Sequence, residues 1–127
     1  MTAKARRIFV LMSVGFALGT IGSQAVLVVR ASAMNAFTIV DITVALITLV
    51  SVVGLLRKLA WGEVLNALSW AAYFAIFVAA QTEFVFFMSA DQVPLIPRIA
   101  TAVGVPLSVG LCGMHLKRIT EQMTTEP

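Results

Sequence analysis

This sequence of 127 residues has one cysteine and one histidine, and only 12% of it is charged. Each scarcity closes off a class of chemistry. A lone Cys112 cannot form an intrachain disulfide or supply a multi-thiolate metal site. A lone His115 rules out haem ligation by two histidines of the same chain. Soluble domains carry about 25% charged residues, so a chain this poor in charge does not read as a soluble fold. No serine, histidine and carboxylate stand in a pattern that would make a nucleophile and its base. The sequence therefore predicts no catalytic residue, no metal site and no cofactor, and the chain is not expected to be an enzyme. His115, beside Lys117 and Arg118, reads as part of a basic flank. Cys112 reads as a small buried residue rather than an acylation site.

What the chain has in quantity is long apolar runs, with 60% hydrophobic residues and a mean hydropathy of +0.98. A bilayer core about 30 Å thick takes roughly 20 helical residues. Four segments meet that requirement: 8–29, 37–56, 64–88 and 99–116. The run 37–56, FTIVDITVALITLVSVVGLL, contains a single charge, Asp41. The prediction is an all-α membrane protein: one compact four-helix transmembrane domain spanning residues 1–127. Short links are expected at 30–36, 59–63 and 89–98, and a short polar tail at 119–127. Asn35 is a candidate N-cap for the second span. Trp61 suits the interfacial aromatic belt. Pro106 falls inside the fourth span and should kink it, freeing the carbonyl of Ala102.

Residues 1–25 also resemble a signal peptide, with Lys4, Arg6 and Arg7, an apolar stretch, and Ser23-Gln24-Ala25 at its end. Apolar residues continue through Val29, so a retained helix is favoured. The net charge of +3 does not indicate nucleic-acid binding, because the basic residues flank the apolar runs as topology signals do. Lys4, Arg6, Arg7, Arg57, Lys58, Lys117 and Arg118 lie on one side of a four-span chain, and only Arg30 and Arg98 on the other, seven against two of the nine basic residues. That bias puts both termini in the cytoplasm. A bacterial inner membrane is the expected location.

Two sets of residues stand out. At 100° per residue Gly15, Gly19 and Gly22 share one stripe of the first helix, with Ser13, Ala17, Thr20 and Gln24 opposite. Gly15 and Gly19 form a small-xxx-small pair that permits close helix approach. Asn66, Ser69 and Tyr73 mark the packed face of the third helix, since polar groups facing lipid cost several kcal/mol. Thr101, Gly104, Ser108, Cys112 and His115 share a face of the fourth helix, beside Pro106. The second set clusters near the outer ends of the spans: Gln24, Asp41, Gln81 and Glu83, bordered by Arg30 and Arg98. An ionisable group in a span is a functional candidate. Asp41 is only about four residues, or roughly 6 Å, inside its helix. It could pair with Arg30 or Arg98 to lock helices, sit at a solvated helix end, or serve an ion path along Thr38, Asp41, Ala45, Thr48 and Ser51.

Two functional expectations follow from different classes. One is a non-catalytic accessory or structural subunit of a larger membrane complex, given the small-residue stripes and the lack of a self-contained site. The other is a homo-oligomeric small transporter, ion channel or holin that uses the polar cluster around Asp41. The partners are the lipid bilayer and either other membrane subunits or further copies of the chain.

Overall fold

The structure is a computed structural model that describes residues 1–31, 36–87 and 95–125. It is a bundle of four helices: α1 (Ala3–Ala31), α2 (Ala36–Leu56), α3 (Ala60–Phe86) and α4 (Leu95–Thr125). All four are long and apolar enough to cross a membrane. Packing follows chain order, with α2 against α1, α3 against α2 and α4 against α3. Long side chains bridge the wider gaps from α1 to α3 and α4.

The distribution of residue types is inverted relative to a soluble bundle. Ser13, Thr48, Ser51, Asn66, Ser69, Ser108 and His115 are buried, while Leu11, Val29, Leu46, Phe86 and Ile96 point outward. In water that exterior would be an apolar patch far larger than soluble monomers tolerate. In hydrocarbon it is the stable arrangement, because polar groups find partners only inside. The protein is an integral membrane protein.

The apolar core is small and aromatic. Phe9, Leu55, Trp70, Tyr73 and Leu111 form its centre. Phe16 on α1 meets Trp70 edge-on with ring centroids 5.1 Å apart, and Tyr73 stacks on Phe77 at 5.7 Å. Such pairs add roughly 0.5–1.5 kcal/mol beyond the area they bury.

One connection and the C-terminal segment differ from the sequence expectation. Residues 59–63 are not a loop, since α3 already begins at Ala60. The α2–α3 turn is a Schellman motif: Leu59 N–H donates to the Gly54 carbonyl at 2.9 Å and Lys58 N–H to that of Leu55 at 3.1 Å. It requires a left-handed residue after the helix, usually glycine, and Lys58 fills that position with φ 59°. The tight turn brings α2 and α3 together backbone to backbone. A Cβ on Gly54 would stand 2.6 Å from the Gly62 Cα and 2.8 Å from the Trp61 ring. The polar tail is also not a tail, because α4 continues to Thr125. Lys117 pairs with Glu121 one turn on at 3.9 Å, and the Thr120 and Thr125 hydroxyls bond carbonyls one turn back. These local contacts hold the helix beyond the apolar run. Asn35 and Met88, the expected cap of α2 and end of the third span, lie outside the described residues.

α4 runs through Pro106 without interruption. Pro106 itself is exposed on the outer face. Ser108, by contrast, is fully buried and donates to the Gly104 carbonyl at 2.7 Å. Gly104 admits the Phe77 ring, which a Cβ would meet at 2.7 Å.

Candidate functional site

The strongest polar constellation lies at the basic end of the bundle and joins all four helices through one side chain. Asn66 on α3 is fully buried. Its Nδ2 donates to Ser13 Oγ on α1 at 2.9 Å and to Ser51 Oγ on α2 at 2.7 Å. Its Oδ1 stands 2.7 Å from His115 Nε2 on α4. Ser13, Ser51 and His115 are fully buried as well.

The donor directions follow from connectivity. Ser51 Oγ gives its hydrogen to the Thr48 carbonyl at 2.6 Å, so it can only accept from Asn66. That orients the amide, placing Oδ1 toward the imidazole, and His115 must then carry a proton on Nε2. Phe9 closes over the ring in a stack with centroids 3.8 Å apart and planes at 24°. His115 Nδ1 has no hydrogen-bond partner among the described residues. One turn nearer the basic end, Arg118 Nη2 meets Glu63 Oε1 at 3.5 Å, both side chains largely shielded. Glu63 and Asn66 are three residues apart on α3, and so are His115 and Arg118 on α4, so the ion pair caps the amide–imidazole pair along one α3–α4 seam.

The reading of His115 as part of the basic flank is therefore corrected. It faces inward on the stripe shared with Gly104 and Ser108. Cys112 on the same stripe is half-buried against the apolar core. The packed face of α3 is as expected, with Asn66, Ser69 and Tyr73 all buried. Tyr73 also receives a long hydrogen bond, 3.4 Å, from the Thr20 hydroxyl on α1.

At the opposite end the predicted polar cluster is divided. Gln24 Nε2 donates to Asp41 Oδ2 at 2.6 Å, tying α1 to α2. Gln81 on α3 instead bonds α4, through the Thr101 hydroxyl and through the Arg98 carbonyl at 3.1 Å. Glu83 is exposed. Neither Arg30 nor Arg98 forms an ion pair with Asp41 among the described residues, where the two ion pairs are Glu63–Arg118 and Glu121–Lys117. The physical reason is burial: Arg30 and Arg98 are exposed at the helix ends, while an amide can reach the carboxylate from within the α1–α2 interface. Asp41 is thus held by a neutral partner.

The glycine stripe also lies elsewhere than against the bundle. Ser13, Ala17, Thr20 and Gln24 face the interior, and a Cβ at Gly15, Gly19 or Gly22 would meet nothing within 4 Å. No helix of the bundle covers that face.

No family model, curated protein or solved structure matches this chain.

Among the described residues no three metal-ligating side chains gather. The central node joins amide, imidazole and two hydroxyls with its hydrogen bonds directed inward, which is the arrangement of a fastening. Its signal was partly present in the sequence. Ser13 lies six residues after Arg7 and Ser51 six before Arg57, so both sit about 9 Å inside the basic boundary. Matching depths identify groups that can meet, but not the helix rotations that let them do so.

Proposed function

We propose that this chain is a non-catalytic subunit of a larger complex in the bacterial cytoplasmic membrane, bound to its partner through the outer face of α1. The observation that carries this reading is the outward stripe Gly15, Gly19 and Gly22, open at every Cβ position. Such a stripe lets a second backbone approach closely, and close approach drives helix association where the hydrophobic effect is absent. The bundle supports the reading from inside. Its buried amide, imidazole and hydroxyls are engaged with one another in fastening the four helices. With both termini on the basic, cytoplasmic side, almost all of its mass remains available for lateral contact.

Extraction from the native membrane in a mild detergent, followed by native mass spectrometry, tests this. The expected result is a stoichiometric complex with a different membrane protein, lost in Gly15→Leu/Gly19→Leu although that variant keeps its monomer stability. A complex made only of this chain overturns the subunit reading and favours a homo-oligomeric transporter or channel. In that case Asp41→Asn should abolish ion flux in liposomes while leaving assembly intact.

A further inference from the structure

At the basic end, an open cleft of about 380 Å³ lies between the start of α1 and the end of α2, lined by Ala3, Arg6, Arg7, Val10, Leu11 and Leu56. The lining is divided by depth. Arg6 and Arg7 lie in the first two turns of α1, at the level where the bilayer's phosphates sit. Val10 and Leu11 lie one turn deeper, facing Leu56 at the end of α2. Leu11 and Leu56 are 71% and 60% exposed, so the cleft opens sideways into the membrane rather than only toward water.

The charge here is uncompensated. Among the described residues the carboxylates in ion pairs are Glu63 and Glu121, engaged by Arg118 and Lys117, and no acid lines the cleft. The positive end of the α1 dipole adds to the same field. Arg6 also borders the adjoining cavity between α1, the α2–α3 turn and α4, lined as well by Lys58 and by Glu63, the carboxylate that Arg118 engages. Lys58 is the residue held at φ 59° in the turn, a position that favours glycine.

We propose that this cleft binds one anionic phospholipid, its phosphate between Arg6 and Arg7 and the start of one acyl chain against Val10, Leu11 and Leu56. Arginine suits the phosphate because its planar fork bonds two oxygens at once. The apolar floor selects a lipid over a free anion, and the cations select an anionic lipid over a zwitterionic one. The cytoplasmic leaflet, where the basic end lies, is the leaflet whose anionic lipids attract such clusters.

The test uses the full chain purified in mild detergent, titrated with phosphatidylglycerol or phosphatidylcholine and read by native mass spectrometry. The expected result is one retained phosphatidylglycerol and no comparable phosphatidylcholine. Arg6→Gln/Arg7→Gln should weaken that binding about 30-fold, as two interfacial cations imply. Lys4→Gln/Lys117→Gln removes the same charge from the same side and should leave it unchanged. Ala3→Phe fills the cleft with every cation kept and should also expel the lipid, so it decides the matter if the arginine variant does not fold. Equal retention of phosphatidylcholine, an equal loss in the Lys4/Lys117 variant, displacement by inorganic phosphate alone, or lipid retained by Ala3→Phe would each overturn the proposal.

Discussion

Replacing Asn66 by leucine puts the central fastening to a direct test. The two side chains have the same number of heavy atoms and the same branching at Cγ, so the change removes hydrogen bonds without opening a cavity. Three bonds disappear at once: those to Ser13 at 2.9 Å, to Ser51 at 2.7 Å and from His115 at 2.7 Å. Inter-helix hydrogen bonds in membranes average about 0.6 kcal/mol, giving about 2 kcal/mol for the three. The imidazole Nε2–H is then stranded in an apolar interior, which adds about 1–3 kcal/mol. The serines escape part of that penalty, because Ser51 keeps its bond to the Thr48 carbonyl. The expected loss is about 3–5 kcal/mol. Ser13→Ala, by contrast, should cost only about 0.6 kcal/mol, because Asn66 still holds Ser51 and His115. Reversible unfolding in mixed micelles, followed by helical circular dichroism, measures both. A double-mutant cycle between Asn66→Leu and His115→Phe should give a coupling above about 1 kcal/mol. If Asn66→Leu lies within about 0.5 kcal/mol of the wild type, Asn66 does not fasten the four helices and the reasoning fails.

Two further perturbations test how α2 meets α3. Gly54→Val places a branched side chain where even a Cβ would lie 2.6 Å from the Gly62 Cα, and overpacking of that kind should cost about 1–3 kcal/mol, read as a lowered thermal midpoint in detergent. An unchanged midpoint would show that the hairpin is not held by this contact. Lys58→Gly relieves a left-handed lysine at φ 59° and should raise stability by about 1 kcal/mol. A fall instead would mean that the lysine side chain contributes more than its backbone strain costs.

The sequence alone determined that four helices cross a membrane, because length and apolarity are local properties that need no partner to be read. It also supplies an expected orientation, since basic residues are counted at the span ends rather than in three dimensions. It identified the inward face of α3 at Asn66, Ser69 and Tyr73, where 3.6-residue periodicity aligns polar groups. Helix ends were harder to read. Thr120, Glu121 and Thr125 look like a frayed tail by polarity, yet local hydrogen bonds and an ion pair continue α4 through them.

Only the tertiary structure decided which polar groups met. Depth along each span is readable, but rotation about each helix axis and the order of neighbours are set jointly by every interface. That is why Asp41 could be placed near Arg30, Arg98 and Gln24 by depth, while only packing selected Gln24. It is why Gly15, Gly19 and Gly22 read as a packing stripe whose direction was undetermined, and which the bundle turns outward. His115 shows the same limit most sharply. Its neighbours Lys117 and Arg118 place it at the boundary, whereas Asn66 and Phe9, 49 residues or more away along the chain, draw it into the interior. A buried polar side chain is explained by its partners, and those partners are fixed only once the helices have packed.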